Sequence, residues 1–428
     1  MSAALPDYRR RILDDELDEL LDVLPAIAIE GVKGVGKTAT ASRRAVTVHA
    51  LDDPAQRAIA AADPARLLTG PPPVLIDEWQ RLPETWDLVR RAVDAGASAG
   101  TFLLTGSASP HQTGTHSGAA RIPVLRMRPL SLAERIGQQP TVSLAELLDG
   151  ARPDVGGQTE FSLEDYTDEI VASGFPGLRG LPARPLRTQL DGYLGRVVDR
   201  DFPELGHALR NPPALRRWMA AYAAASSTTT SFEKIRNAAT GGQDNKPSKK
   251  ATVPYRDLLE RLWILDPVPA WQPTRSHLTR LTAAPKHQMA DPALAARLLG
   301  ATTAALLHGQ DLGPAIPRDG TLLGALFEAL NTLAIRVYAQ AVKARVGHLR
   351  TFVGQREIDL IVERQDGRVI AVEVKLARTV ENHDVRHLAW LSTEIGGELL
   401  DALIITTGPE AYRRPDGIAV VPAALLGP

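Results

Sequence analysis

The sequence predicts an α/β protein of several domains. It would have a parallel-sheet core at the N-terminus, a helical middle region with a winged-helix module, and a second α/β domain at the C-terminus. Three observations predict this. Short apolar or β-branched runs alternate with helical segments over the first part of the chain, the pattern of a parallel sheet covered on both faces. The stretch Gly31-Val32-Lys33-Gly34-Val35-Gly36-Lys37-Thr38, a complete G-x-x-x-x-G-K-T, directly follows the first of those runs. Far downstream, Arg356–Val362 and Val369–Lys375 read as adjacent strands that carry an acid and an E-x-K.

Taken in order, Arg9–Leu24 places leucines and Ile12 at helical spacing among acidic residues and reads as an amphipathic helix. Pro25–Glu30 is the first strand, Lys37–Arg44 opens a helix, and Ala45–Leu51 is a second strand. Val74–Ile76 and Phe102–Leu104 are two more, with a helix at Thr85–Ala95 and a fifth strand at Ile122–Leu125. From Leu144 to Ala239 the pattern is mainly helical, with Ser226–Ser231 ending one helix and capping the next. Gly241–Lys250 reads as a solvated loop or a DNA-touching one. Tyr255–Leu265 is a helix, and extended segments at Pro267–Trp271 and Leu278–Met289 complete a winged-helix outline. The last domain runs as helix Leu322–Val342, strands His348–Val353, Glu357–Glu363 and Val369–Lys375, helix His383–Ile395 and strand Ala402–Thr406. The expected boundaries are 1–140, 141–205 for a helical lid or linker, 206–312 for the winged-helix-like region, and 313–428.

Composition narrows the class of protein. The 428 residues suffice for several domains at about 100–200 residues each. Hydrophobic residues at 44% and charged residues at 23% match ordinary globular protein and exclude disordered or fibrous architecture. The 49 basic and 50 acidic side chains leave a net charge of -1, which excludes a globally basic nucleic-acid coat but permits a local patch. Zero cysteines exclude disulfides, thiolate zinc sites and cysteine nucleophiles. The N-terminal residues lack the apolar core of a signal peptide. No uninterrupted apolar run reaches the ~18 residues of a membrane span, so the expected location is cytoplasmic with no membrane partner.

The glycine-rich stretch is a physical device for polyphosphate. Glycines let backbone N–H groups of Gly31 to Gly36 approach the phosphates, Lys37 balances their charge, and the Thr38 hydroxyl coordinates Mg²⁺. A second element supports it. Val74-Leu75-Ile76-Asp77-Glu78 ends a buried strand in two carboxylates, the first to hold Mg²⁺ through water and the second to polarise the attacking water. No Asn-Lys-x-Asp guanine reader is present, because Asn245-Lys246 continues into Pro247-Ser248, so ATP is expected by elimination. Thr105, at the end of Leu103–Ser107, is readable as a γ-phosphate sensor or as a strand-end cap. Arg121, after the Gly114–Gly118 loop, is readable as an arginine reaching phosphate across a subunit or lid, or as a solvated surface residue.

Several segments together resemble a known family. Leu75–Pro83, Leu104–Ser107, Pro129–Glu134, Ser173–Pro176 and Asp199–Asp201 are similar to the signatures of prokaryotic AAA-superfamily ATPases that carry a C-terminal domain of unknown function. The resemblance implies an AAA-type phosphate-loop ATPase core, a helical and winged-helix region, and a restriction-endonuclease-like domain of the PD-(D/E)xK type. It implies oligomerisation too, because an AAA-type site usually takes an arginine from a neighbour. Two segments, Gly241–Lys250 and His111–His116, depart from that pattern.

In the C-terminal domain, strand period two puts Glu373 and Lys375 on one face while Val372 and Val374 point into the core. With Asp359 on the preceding strand this is a D…ExK array. Asp359 and Glu373 would coordinate Mg²⁺ and Lys375 would orient or activate water. Glu328, on the helix before, either completes the set or is a solvated helix residue. His383 and His387, four apart on an expected helix, lack any H-E-x-x-H context and read as ordinary surface or core histidines, as do His111 and His116. Two functions remain open. One is an ATPase acting on DNA with a Mg²⁺-dependent nuclease domain. The other is an ATP-driven regulatory switch whose nuclease-like domain is inactive and mediates contact or assembly.

Overall fold

A computed structural model describes residues 8–107, 121–206, 209, 211–240, 249–273, 283–310, 312–316, 320–351 and 355–428. The loop residues His111, His116, Gly114–Gly118 and Lys246 therefore lie outside the described residues. The chain forms two compact units. The first is Met1–Pro129 with Phe175–Gly177 and Glu260–Ile264; the second comprises Leu130–Gly174, Leu178–Leu259 and Leu265–Pro428. The helical middle region and the C-terminal sheet thus share one unit.

The first unit is built on five parallel strands, β1 (Ala26–Glu30), β2 (Thr47–Ala50), β3 (Val74–Asp77), β4 (Phe102–Gly106) and β5 (Val124–Arg126). Their order across the sheet is β2-β3-β4-β1-β5. Every residue of β1, β3 and β4 is buried, which is why these strands read as continuous apolar runs rather than alternating ones. Helices α1 (Leu13–Leu21) and α2 (Lys37–Ser42) are shorter than the segments expected for them, α4 (Glu84–Asp94) is shifted by one residue at the expected length, and α3 (Pro54–Ala62) follows β2. One core cluster joins Ala28, Ile76 and Leu104 of the sheet to Trp79, Trp86 and Val89, with the two tryptophan rings 4.8 Å apart. Because the strands are parallel, the residues after β1, β3 and β4 emerge at one edge. The register pairs Ile29 with Thr105 and Ile76 with Leu104, so Gly31, Asp77 and Thr105 converge there.

The second unit has a six-stranded mixed sheet in the order β11-β12-β10-β9-β8-β7. Its strands are β7 (Arg345–Arg350), β8 (Glu357–Glu363), β9 (Val369–Val374), β10 (Leu399–Thr406), β11 (Tyr412–Arg413) and β12 (Ala419–Pro422). β7, β8 and β9 are antiparallel neighbours, whereas β9, β10 and β12 run parallel. The short strand β6 (Val142–Ser143) pairs in parallel with β13 (Leu426–Gly427). Helix Leu322–Ala341, capped by the Thr321 hydroxyl, is long and apolar enough to span a bilayer by length and composition. It is nevertheless a core element, with 72% of its most apolar window buried.

Two expectations are corrected here. The helix expected from Tyr255 begins at Lys249 and ends at Arg261, running through Pro254, whose missing N–H removes one hydrogen bond without ending the helix. The helix expected from His383 begins at Arg386. Asp384 accepts a hydrogen bond from the Glu381 N–H and holds the preceding residues in a turn, so His383 and His387 are not an i, i+4 helical pair.

Helices Pro212–Ala224, Phe232–Ala238 and Lys249–Arg261 are followed by an antiparallel ribbon with bridges Leu265–Met289 and Val268–Lys286. The outer edge of that ribbon pairs with β7. Ala270 and His348 form a parallel bridge, the Trp271 N–H donates to the His348 carbonyl at 2.6 Å, and the His348 N–H donates to Pro269 at 3.0 Å. Trp271 is buried in the core of the C-terminal sheet with Leu349, Ile358 and Leu388.

Candidate functional site

The loop Gly31–Gly36 leaves β1 and turns into α2, and its glycines are demanded by space and by backbone angle. A Cβ on Gly31 would lie 2.1 Å from the Met127 carbonyl oxygen, and Gly34 and Gly36 adopt φ of +88° and +101°. Val32 and Val35 are buried and anchor the loop in the core. Arg11 braces it from behind, donating to the Val35 carbonyl at 2.9 Å and to the Arg128 carbonyl at 2.7 Å. Phe175 and Pro176, from the Ser173–Pro176 signature, lie over Gly34 and Gly36.

Lys37 and Thr38 begin α2. The Lys37 ammonium is buried and donates to the Gly31 and Val32 carbonyls at 2.8 and 3.1 Å. Burial pushes its pKa down to about 8 against the pull of Glu78 and Asp77. The Thr38 hydroxyl donates to Asp77 Oδ1 at 2.8 Å, and the Thr105 hydroxyl donates to the same oxygen. Burial raises the Asp77 pKa, and these two bonds oppose the rise. Thr105 also accepts from the Glu78 N–H at 3.3 Å. Glu78 itself sits at φ +54°, a conformation uncommon for a residue with a side chain. Ser107 holds Glu78 Oε1 at 2.7 Å and Gln80 donates to Oε2.

Sequence patterns thus find Gly31–Thr38, Asp77, Glu78 and Thr105, and the fold brings them together. Arg121 is not brought to them. It is 48% exposed and pairs with Asp94 at the end of α4 at 2.9 Å.

Glu30 is a member of this region that the patterns miss. It is 1% exposed, stands directly opposite Arg126 on β5, and has a buried Oε1 without a hydrogen-bond partner. Burial lifts its pKa to about 7, with Arg126 and Lys37 opposing. The Arg126 guanidinium lies 3.4 Å over the Trp263 ring, in the returning segment Glu260–Ile264. Only the strand pairing reveals this neighbourhood, because the three residues share no local motif.

Magnesium and a nucleoside triphosphate fit the residues present. A backbone cradle with no room for a side chain at Gly31 faces the Lys37 ammonium, and the Thr38 hydroxyl already donates to an Asp77 carboxylate oxygen. Thr38 and Asp77 would hold the ion, and Gly31–Lys37 the phosphates. Bound there, the ion would neutralise phosphate charge.

In the second unit, Asp359 and Glu328 come together around a residue the sequence reading passed over. Lys286, 0% exposed, projects from the ribbon and places its ammonium 2.8 Å from Glu328 Oε1, 3.1 Å from Asp359 Oδ1 and 3.5 Å from Glu357 Oε1. Asp359 Oδ2 accepts from the Val374 N–H at 2.9 Å. Burial acts to raise the Asp359 pKa, but Lys286 and Lys375 hold it below the ordinary carboxylate range. Glu328 is pushed up to about 8 by burial and by Asp359. His348, beside the ribbon, is pushed down to about 4 by burial and by Lys286.

Glu373 and Lys375 pair at 3.0 Å. Contrary to a simple in-out alternation, Glu373 is 3% exposed, as buried as Val372, whereas Val374, expected in the core, is only half-buried. Burial and Asp359 raise its pKa well above the usual value. His387 Nδ1 bonds the Glu357 carbonyl at 2.7 Å. Among the described residues no three Asp, Glu or His side chains are arranged to hold a metal ion. The carboxylates expected to bind Mg²⁺ therefore do not fit it in this state, because an ammonium stands between them.

Residues 24–136 match the family described as AAA domain. The parallel sheet and phosphate loop of the first unit agree with that match. Residues 163–305 and 323–426 match two families each described as a domain of unknown function, DUF8612 and DUF4143. No curated protein matches the chain. Among solved structures the chain is similar to a Walker-type ATPase of Pyrococcus abyssi, at 16% identity over 69% of this chain and 99% of that one, with a TM-score of 0.40.

Proposed function

We propose that the first unit binds ATP with Mg²⁺ and hydrolyses it. The observation that carries this reading is the convergence on Asp77 of the Thr38 and Thr105 hydroxyls, next to a Glu78 carboxylate oriented by Ser107. Lys37 and the loop amides hold the phosphates, Asp77 and Thr38 hold the ion, and Glu78 orients the attacking water. The test is Mg²⁺-dependent phosphate release. Glu78→Gln should bind ATP and release no phosphate above background, and Lys37→Ala should lose binding. Wild-type turnover in Glu78→Gln would remove that residue from the mechanism.

For the second unit, the buried Lys286 favours the reading in which the D…ExK array binds or assembles over the one in which it cuts DNA. A hydrolytic site needs its carboxylates free for metal, and here they neutralise an ammonium. The three-helix arrangement followed by a ribbon supports a winged-helix role, with DNA as the partner expected of that module. The pairing of the ribbon with β7 engages one of its edges in the protein itself. Homo-oligomerisation remains part of this proposal, with Arg121 as the residue that would serve a neighbour's site.

A further inference from the structure

Helix Phe232–Ala238 starts on a Ser231 cap, whose hydroxyl accepts from the Lys234 N–H at 3.3 Å and so fixes Phe232 at the head of the helix. Arg236, four residues on, shares its face. Helix Lys249–Arg261 repeats that spacing across from it, with Thr252 and Arg256 four apart and Val253 beside them. Between the two faces lies a cavity of about 350 Å³, walled on a third side by Trp218 from helix Pro212–Ala224. That wall is firm, because Trp218 is buried and stacks on Tyr222 with ring centres 5.5 Å apart. The Arg256 guanidinium lies over the Phe232 ring at 5.0 Å, a planar pair on which another flat group can stack. Arg236 brings the second feature. Its Nε is buried without a hydrogen-bond partner, and its Nη2 donates at 3.3 Å to Glu233, a carboxylate 72% exposed. Exposed pairs of that kind are weak, so a phosphate can replace the glutamate and take Nε and Nη2 together as a fork.

A flat stacking surface and an unsatisfied guanidinium N–H in one slot are the chemistry that recognises a nucleotide, base and phosphate together. The volume, near the low end of small-ligand sites, suits one such unit. A base inside a duplex is stacked on both faces and cannot enter, whereas an unpaired one can. We propose that this slot binds one unpaired nucleotide of single-stranded DNA, its base against Phe232 and Arg256 and its phosphate on Arg236. The inference rests on the reading of the three helices and the ribbon as a DNA-binding module, and it narrows that reading from duplex to single strand.

The test is fluorescence anisotropy of labelled (dT)12 with the full chain in a Lys37→Ala background, so that the phosphate loop does not hold the probe. Phe232→Ala should weaken binding roughly 5- to 150-fold, the range for loss of one stacked base. Arg236→Gln should weaken it and lower the slope of log Kd against log salt by about 0.7, the loss of one phosphate contact on a single strand. Val253→Trp fills the rim of the slot from a side chain 41% exposed, and should lose binding with an unchanged Tm. Parent affinity for (dT)12 in folded Arg236→Gln and Val253→Trp chains overturns the proposal. Thymidine monophosphate competing as well as (dT)12, nucleotide for nucleotide, rejects the strand as the source of the ligand. A 12-base-pair duplex bound equally by the parent and all three variants, with no (dT)12 binding, removes the slot and leaves the DNA-binding module standing. No binding of either probe removes both.

Discussion

Thr105 is the position where the geometry of the ATP site makes the sharpest demand. Its hydroxyl is fully buried, donates to Asp77 Oδ1 and accepts from the Glu78 N–H, and so ties together the two carboxylates expected to handle ion and water. Thr105→Val keeps the shape and removes both bonds. A hydrogen bond to a charged group contributes about 1.5–3 kcal/mol, and each 1.36 kcal/mol is about tenfold in rate. Loss expressed fully in the transition state therefore lowers kcat about 10- to 150-fold. Nucleotide binding, which rests on Gly31–Lys37, should change little. The acid limb of the pH profile should move to higher pH, because the Thr105 bond is one of two that oppose the burial-driven rise of the Asp77 pKa. The assay is steady-state ATP turnover across pH, paired with a fluorescent-nucleotide affinity measurement and with Thr105→Ser as the rescue. Unchanged kcat in Thr105→Val would refute the reasoning and return Thr105 to a strand-end cap. So would a loss confined to affinity.

Two further outcomes follow from the buried charges. Glu30 has a folded-state pKa of about 7 against 4.5 for an ordinary glutamate, so the folded state binds the extra proton. Stability contributed by that proton is then lost as pH rises from about 4.5 to about 7, by about 3 kcal/mol at about 1.36 kcal/mol per pH unit. Glu30→Gln should flatten the fall in Tm across that window, and an unchanged slope would show that Glu30 titrates normally. In the second unit, Asp291 is fully buried. It accepts from the Ser173 hydroxyl at 2.7 Å, the Gly174 N–H at 2.6 Å and the Ala293 N–H at 3.0 Å, and lies 3.9 Å from Arg135. Asp291→Ala should cost about 3–5 kcal/mol in urea unfolding because it leaves three donors without their acceptor and removes one of the two carboxylates beside the buried Arg135 guanidinium. Asp291→Asn should recover part of the loss, and an alanine variant within about 1 kcal/mol of wild type would contradict this account.

What the sequence could determine by itself was whatever a short stretch of chain encodes through its own geometry. The loop Gly31–Thr38 is legible because three glycines, a lysine and a threonine at fixed spacing perform one local task. Asp77 and Glu78 are legible because they end an apolar run too short to be anything but a buried strand. The long helix, β7 to β10 and the helix between β9 and β10 follow from periodicity in the same way with bounds that shift by a few residues, whereas the short β11 and β12 go unread. Tertiary structure decided how charges meet across the chain. Lys286 stands 42 positions from Glu328 and 73 from Asp359, and only the pairing of the ribbon with β7 brings them together. No spacing rule links such residues. In sequence Lys286 is one more lysine beside a histidine, and Asp359 and Glu373 look free for metal. Glu30 and Arg126 meet for a similar reason, because a fifth parallel strand is laid beside the first. The physical cause is common to both cases. Backbone preferences act over a few residues, whereas neutralising a buried charge depends on whichever segment the packing brings within a few ångströms.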